Sequence, residues 1–223
     1  MRIGIGKSLA FCLLALAGCD SYVHGNGVYG QEARSVPAFG GVSIGLGILG
    51  TVRSGASETA VTISGDANVL QYIKTEVVDG ILTTRLSGVD DFDSDHPIQL
   101  VVATPQLAYA EGYEGAWVSV SSITETGTFT GRAREGSALV LSGADLVEAT
   151  LLSLSAAGTS AIDAVAYPAI DASATLSGGS RAQVTLTGTA TGTLSDGSTL
   201  TIHGGGACAV TVSGGAACVE ATP

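Results

Sequence analysis

The feature that most constrains this chain is a period of two. Through most of its length, apolar and small polar residues alternate in short runs, and Gly, Ser-Gly or Asp-Gly ends almost every run. Such alternation puts every second side chain on one face of a strand. Apolar residues spaced by three and four, the mark of an amphipathic helix, are nowhere sustained. The chain therefore reads as all-β. β-branched residues recur over Val61–Ile63 and Val69–Val78, Asp79-Gly80 supplies the backbone of a tight hairpin before Ile81–Leu86, and a further strand, Ile98–Ala103, ends at Thr104-Pro105.

Beyond residue 116 the texture becomes a series of short units: Trp117–Ser121, Ala138–Gly143, Leu151–Gly158, Ala172–Gly179, Gln183–Gly188, Leu200–Gly205 and Ala209–Gly215. Ser142-Gly143, Ser177-Gly178-Gly179, His203-Gly204-Gly205 and Ser213-Gly214-Gly215 mark corners where positive φ or a close backbone approach is needed. Short strands with small-residue corners predict a β-solenoid, in which each coil buries its inward residues against the next. Aromatic residues make up only 5% of the chain, which suits a narrow interior of Val, Leu, Ile, Ala and Ser. A β-sandwich is the structural alternative.

The order Val36-Pro37-Ala38-Phe39, then Val61-Thr62-Ile63-Ser64-Gly65-Asp66-Ala67-Asn68, then Thr75 to Leu82 around Asp79-Gly80, then Pro105-Gln106-Leu107 and repeated Ser-Gly corners resembles the auto-transporter adhesin head family called GIN. The likeness covers about residues 25 to 220. It implies an exported, right-handed β-helix-like stack and supplies no catalytic residues. The Gly-rich stretch Gly40–Gly50 and the closing cysteine pair depart from the commoner pattern.

At the N-terminus, Arg2 and Lys7 precede the apolar run Leu9–Leu16, and Leu16-Ala17-Gly18-Cys19 follows. A cationic start, a short apolar stretch and small residues before a cysteine form a bacterial lipoprotein signal, too short for a spanning helix. The expected organisation is a signal peptide over 1–18, a lipidated Cys19 with a flexible tether over 19–33, and one solenoid domain over 34–223. Palmitate-type acylation of Cys19 would anchor the chain to a membrane of the cell envelope, facing the periplasm or the cell surface. Asp20 follows the cysteine directly and leaves the choice of membrane open.

The formal net charge is −11, and loss of Arg2 and Lys7 with the signal leaves about −13. Nucleic acid is excluded as a partner, because phosphate backbones are bound by clustered Lys and Arg. The one basic doublet, Arg132 and Arg134, is partly offset by Glu135. Of four cysteines, Cys12 leaves with the signal and Cys19 is the lipid site. Cys208 and Cys218 remain in a compartment that permits a disulfide, with two packed thiols as the alternative. No Cys-x-x-Cys or His pair supplies a zinc site.

Asp90-Asp91-Phe92-Asp93-Ser94-Asp95-His96 gathers four carboxylates in one loop, a candidate calcium site because hard cations take several oxygen ligands. It lacks the glycine and distal Glu of an EF-hand, and a solvated acidic loop is the plainer reading. Apart from calcium no cofactor is expected. Gly41-Val42-Ser43-Ile44-Gly45 matches a nucleophile elbow by letters, but that elbow needs a strand turning into a helix. None of His24, His96 and His203 has an evident nucleophile partner.

Tyr109, Glu111, Tyr113, Glu114 and Trp117 form the densest patch of aromatic and carboxylate groups. Aromatic faces could stack on sugar rings while carboxylates take hydroxyls; alternatively the rings cap the end of the solenoid. Three function classes follow: a non-catalytic adhesion or interaction module using an extended β face toward a protein or glycan ligand, a glycan-active β-helix enzyme, and a structural envelope lipoprotein. Anchor, solenoid and resemblance together favour the first, so no enzyme is expected.

Overall fold

The computed structural model describes residues 21–221; the expected signal segment and Cys19 lie outside them. The chain enters through β1 (Tyr22–Val23) and β2 (Tyr29–Ala33) and lays down a coil from β3 (Gly41–Ile44) and β4 (Leu49–Arg53). It then builds the end of the stack from β5 (Ala60–Asp66), the short helix α1 (Ala67–Leu70), β6 (Ile73–Val78), β7 (Ile81–Leu86), β8 (Asp91–Phe92) and β9 (Gln99–Ala103). From there it winds steadily away through β10 (Tyr109–Gly112), β11 (Trp117–Ile123), β12 (Thr128–Ala133), β13 (Ala138–Gly143), β14 (Ala149–Ala156), β15 (Ala161–Leu176), β16 (Arg181–Leu186), β17 (Thr189–Leu194), β18 (Thr199–His203), β19 (Ala207–Val212) and β20 (Ala217–Glu220).

The result is the predicted β-solenoid, with two sheet faces around one core. One face stacks β7, β3, β10, β12, β14, the second half of β15, β17 and β19, all parallel. The other stacks β9, β4, β11, β13, the first half of β15, β16, β18 and β20, also parallel. The coil of β7 and β9 therefore lies outside the coil of β3 and β4, although it follows it in sequence. Antiparallel β6 and β5 close this end.

Stacking in register decides the interior. One inward row runs Val42, Ala110, Gly131, Leu154, Ala174, Gly192, Val210. Another runs Leu100, Gly50, Val118, Leu139, Ile162, Ala182, Leu200, Cys218. Glycine and alanine recur in both rows because the two faces are close: a Cβ at Gly131 would come within 3.3 Å of Leu139 on the opposite face. At the last coil the Cys208–Cys218 disulfide joins the faces across the core, with Cα atoms 6.5 Å apart. Glu220 Oε1 accepts the N–H of Cys208 at 3.0 Å and covers part of the open edge.

One corner repeats with little variation. Two residues at positive φ precede a small buried residue in Glu114-Gly115-Ala116, Glu135-Gly136-Ser137, Gly158-Thr159-Ser160, Gly178-Gly179-Ser180 and Asp196-Gly197-Ser198. Successive corners are joined by backbone bonds such as Gly115 N to Glu135 O and Gly136 N to Gly158 O. The serines add a second donor to carbonyls that already accept a backbone N–H: Ser137 Oγ donates to Gly112 O at 2.6 Å beside Arg134 N, and Ser198 Oγ to Leu176 O at 3.1 Å beside Ser195 N.

Two local expectations differ from the structure. Val69 to Tyr72 are not strand, since Val69 and Leu70 fill the core from α1 and the strand starts at Ile73. Residues 21–33, expected as a flexible tether, are instead held against the solenoid. β1 pairs with β8, and β2 pairs antiparallel with β5. The acidic loop supplies the clasps: Asp90 Oδ2 accepts Ser21 N at 2.9 Å, and Asp93 Oδ1 accepts Gly25 N at 3.0 Å. His24 Nδ1 lies 3.0 Å from Asp93 Oδ2. Beneath them the fully buried Asp66 accepts from His96 Nδ1 and from Asp95 N, the latter at 2.8 Å. The hydrogen bond from His24, then that from Gly25, holds the Asp93 carboxyl below its usual range. Burial pushes Asp66 up, but its bonds from His96 and the Asp95 and His96 N–H groups outweigh burial and bring it down.

Two predictions follow from this architecture. Gly197 sits at φ +72° with open space around it, whereas at Gly192, φ +117°, a Cβ would lie 2.1 Å from the Ala174 carbonyl oxygen. Gly197→Ala should cost about 1–2 kcal/mol in backbone strain, and Gly192→Ala about 2–3 kcal/mol beyond that from overpacking, read as a shift in denaturant midpoint. The clasp should be acid-labile. Because both Asp93 and Asp66 are depressed in the folded state, their contribution is complete above the unfolded carboxylate value of about 3.9 and is lost as pH falls through the lower folded values. Amide exchange at Gly25, Asp95 and His96 should accelerate below about pH 4 before that of the coils. Asp66→Asn with Asp93→Asn should remove the pH step.

Candidate functional site

The residues singled out above divide among three sides of the solenoid. Tyr109 and Glu111 are two apart on β10 and point outward together. The stacking register sets Ser43 beside Glu111, with Arg132 on the next coil. Ser43 Oγ donates to Glu111 Oε2 at 2.6 Å, Tyr109 OH to the same oxygen at 3.1 Å, and Arg134 Nε to Oε1 at 3.1 Å. Arg134 also donates to Glu135 at 2.8 Å and lies 4.5 Å from the centre of the Tyr113 ring.

Burial pushes the Glu111 carboxyl up, yet the bonds from Ser43, Arg134 and Tyr109 outweigh it and hold the group below its ordinary value. Burial, then the charge of Glu111, pushes the Tyr109 phenol up to about 12. A glycosidase acid needs a carboxyl raised toward neutrality and free to give its proton. Glu111 is the reverse: ionised and already accepting from three side chains. It ties the coil of β3 and β4 to β10 and to the corner at Arg134. Ser43, the serine of the elbow-like motif, is consumed in the same knot on a strand that no helix follows.

Tyr113 and Glu114 turn the corner between the faces. The Tyr113 ring lies over Gly45, where a Cβ would come within 2.2 Å of it, and its hydroxyl donates to the Thr84 carbonyl oxygen. Glu114 is exposed at φ +48°. Across from them stands the acidic loop, and the space between is a cleft of about 720 Å³ lined by Asp90, Asp91, Asp93, Arg85, Tyr113 and Glu114 among others. Two separate signals in the sequence thus meet in one cleft. The loop carboxylates on it have local partners: Asp90 and Asp93 hold the N-terminal segment, and Asp91 accepts the N–H of Phe92 at 2.8 Å. Asp95 extends the same loop, and its backbone N–H goes to Asp66. Among the described residues, no group of three or more His, Cys, Asp or Glu is placed to hold a metal ion.

Trp117 stands apart from the other four, outward on the second face at the start of β11 and 56% exposed. What sequence reasoning missed is the first outward face beyond β10. There the register aligns Ser43, Glu111, Arg132, Ser155, Thr175, Thr193 and Thr211 in one row. Thr130, Ser153, Ser173 and Thr191 form a parallel row two residues away. The available signal was a hydroxyl pair at i and i+2 in three successive strands of that face, Ser153 with Ser155, Ser173 with Thr175 and Thr191 with Thr193.

No helix among the described residues is long and apolar enough to cross a membrane. A comparison with curated proteins gives no match. Among solved structures, a "putative adhesin" from Bacteroides fragilis superposes with a TM-score of 0.68 at 12% identity, covering 89% of this chain and 99% of its own. A "putative adhesin" from Parabacteroides merdae gives 0.55 at 14% identity over 91% and 100%. A "putative lipid binding protein" from Parabacteroides distasonis gives 0.56 at 12% over 90% and 100%. At these identities the likeness is one of fold. The family described as "Putative auto-transporter adhesin, head GIN domain" matches residues 38–206, and the chain belongs to that family.

Proposed function

We propose that this protein is an exported, lipid-anchored envelope module that binds a partner through its flat sheet faces and carries out no chemistry. The observation that carries the reading is the alignment of outward side chains from coil to coil, as in Arg132, Ser155, Thr175, Thr193 and Thr211. Coils about 4.8 Å apart repeat a hydroxyl at a fixed interval from Ser155 through Thr175 and Thr193 to Thr211. Such a surface offers many weak contacts to an extended or repetitive ligand and no focus for a transition state. The ionised, saturated Glu111 supports a binding role over glycan hydrolysis. Membership of an adhesin-head family points the same way, and the pattern from Arg2 to Cys19 supports export and anchoring.

Protease shaving of intact cells carrying a C-terminal tag, with a periplasmic protein as lysis control, tests this. Cleavage of the domain on intact cells is expected, and protection until the envelope is opened overturns adhesion to outside surfaces. Cys19→Ser should move the folded protein from the detergent phase to the aqueous phase on Triton X-114 partition. If the wild-type protein already partitions to the aqueous phase, the anchor is wrong.

A further inference from the structure

The second face holds a feature that the Glu111 knot and the hydroxyl rows do not use. In-register stacking of β4, β11, β13, the first half of β15 and β16 aligns Leu49, Trp117, Ala138, Ala161 and Arg181 in one outward row. In the adjacent row Asp163 pairs with Gln183. Trp117 is half exposed, and the next two positions in its row are alanines. The indole therefore forms a wall beside a floor of methyl groups, and the groove so formed has a volume of about 370 Å³. A tryptophan left half in water on a sheet face, in a chain with one tryptophan in all, is a large apolar surface without an internal partner.

The polar end of the groove has a definite character. Arg181 takes part in no ion pair among the described residues. Asp163 uses one oxygen for the N–H of Val165 at 3.1 Å, and Gln183 can both donate and accept. One cation and one anion leave the groove without net charge, although the chain as a whole is at −11. A donor, an acceptor and an amide in a row, next to an aromatic plane and small apolar residues, complement vicinal hydroxyls on a ring with an apolar C–H face. An acidic polymer would be repelled by the chain, and a purely apolar ligand would leave Asp163 and Arg181 desolvated without partners.

We propose that this groove binds a neutral saccharide chain lying along the coil axis, with one ring against Trp117 and the hydroxyls of its neighbours at Asp163, Arg181 and Gln183. Trp117 and Arg181 are three coil steps apart, about 14 Å, enough for a short oligosaccharide and too long for a single ring. The proposal rests on the adhesion reading and gives it a ligand class; it places sugar contact on the face opposite Tyr109 and Glu111 and keeps only Trp117 of the original patch.

Trp117 makes the test direct, because the full chain in detergent has no other tryptophan to emit. Titration with cello-, malto-, manno- and chito-oligosaccharides should give a saturable change in emission with at least one of them. Ala161→Leu, an outward and exposed substitution that fills the floor, should weaken that response at least tenfold while leaving the unfolding midpoint in place. Arg181→Gln should weaken it without abolishing the Trp117 signal. Absence of a saturable response to all four series, or an unchanged response in Ala161→Leu, overturns the proposal. Adherence of intact cells, measured in parallel, separates the two readings: adherence without any neutral-sugar response overturns this groove alone, and wild-type cells that do not adhere overturn the adhesion reading.

Discussion

Everything in this molecule depends on parallel strands holding one register from coil to coil, broken by shifts only between Val120 and Ile123, Val140 and Ser142, and Ala164 and Ala169 among the parallel pairs described. Each backbone N–H and C=O of one coil must find its partner in the next, so residues at equivalent positions become neighbours whatever their chemistry. On the inside, neighbours along a row share one space, so that Gly131 beside Leu154 leaves no room for a Cβ closer than 3.1 Å. On the outside it lines up whatever the sequence supplies, hydroxyls on one face and an indole above two alanines on the other. Core packing and surface pattern are two results of the same hydrogen-bond ladder.

A ladder of this kind has two ends, and the chain treats them differently. At the first end it reverses direction, so that antiparallel β5 and β6 close the stack and α1 fills the core behind them. At the second end there is no such reversal among the described residues. A disulfide closes the core, and the carboxylate of Glu220 takes one of the free N–H groups of β19. A charge placed at an inward row position also discourages a further coil or a second copy from continuing the stack.

The all-β class, the solenoid and the glycine corners were legible because they depend on local chemistry: alternation sets the strand, and positive φ sets the corner. Cys208 and Cys218 were legible as a pair, though not as a bridge between faces. The reversed spatial order of the first two coils was hidden, since pairing β7 with β3 is a non-local event that no local pattern encodes. The same holds for the N-terminal clasp, where His24 meets Asp93 across 69 positions. The patch from Tyr109 to Trp117 is contiguous in sequence but turns a corner in space, so one reading of it as a single surface failed at Tyr113. The row from Trp117 to Arg181 was invisible for the opposite reason: unequal coil lengths scatter its members along the chain.

The clasped N-terminal segment changes what an anchor at Cys19 could do. Ser21 is already bonded to Asp90, so a lipid on Cys19 would be separated from the fold by Asp20 alone, at most about 7 Å of extended chain. Such an attachment would work as a rivet, with none of the sweep that a leash of a dozen residues would allow. The stack would stand on the bilayer by its reversed end and hold its disulfide-closed tip at a nearly constant height. Capture of a partner would then scale with the number of copies per area of membrane, as in a brush of short posts, rather than with the volume any one copy could search.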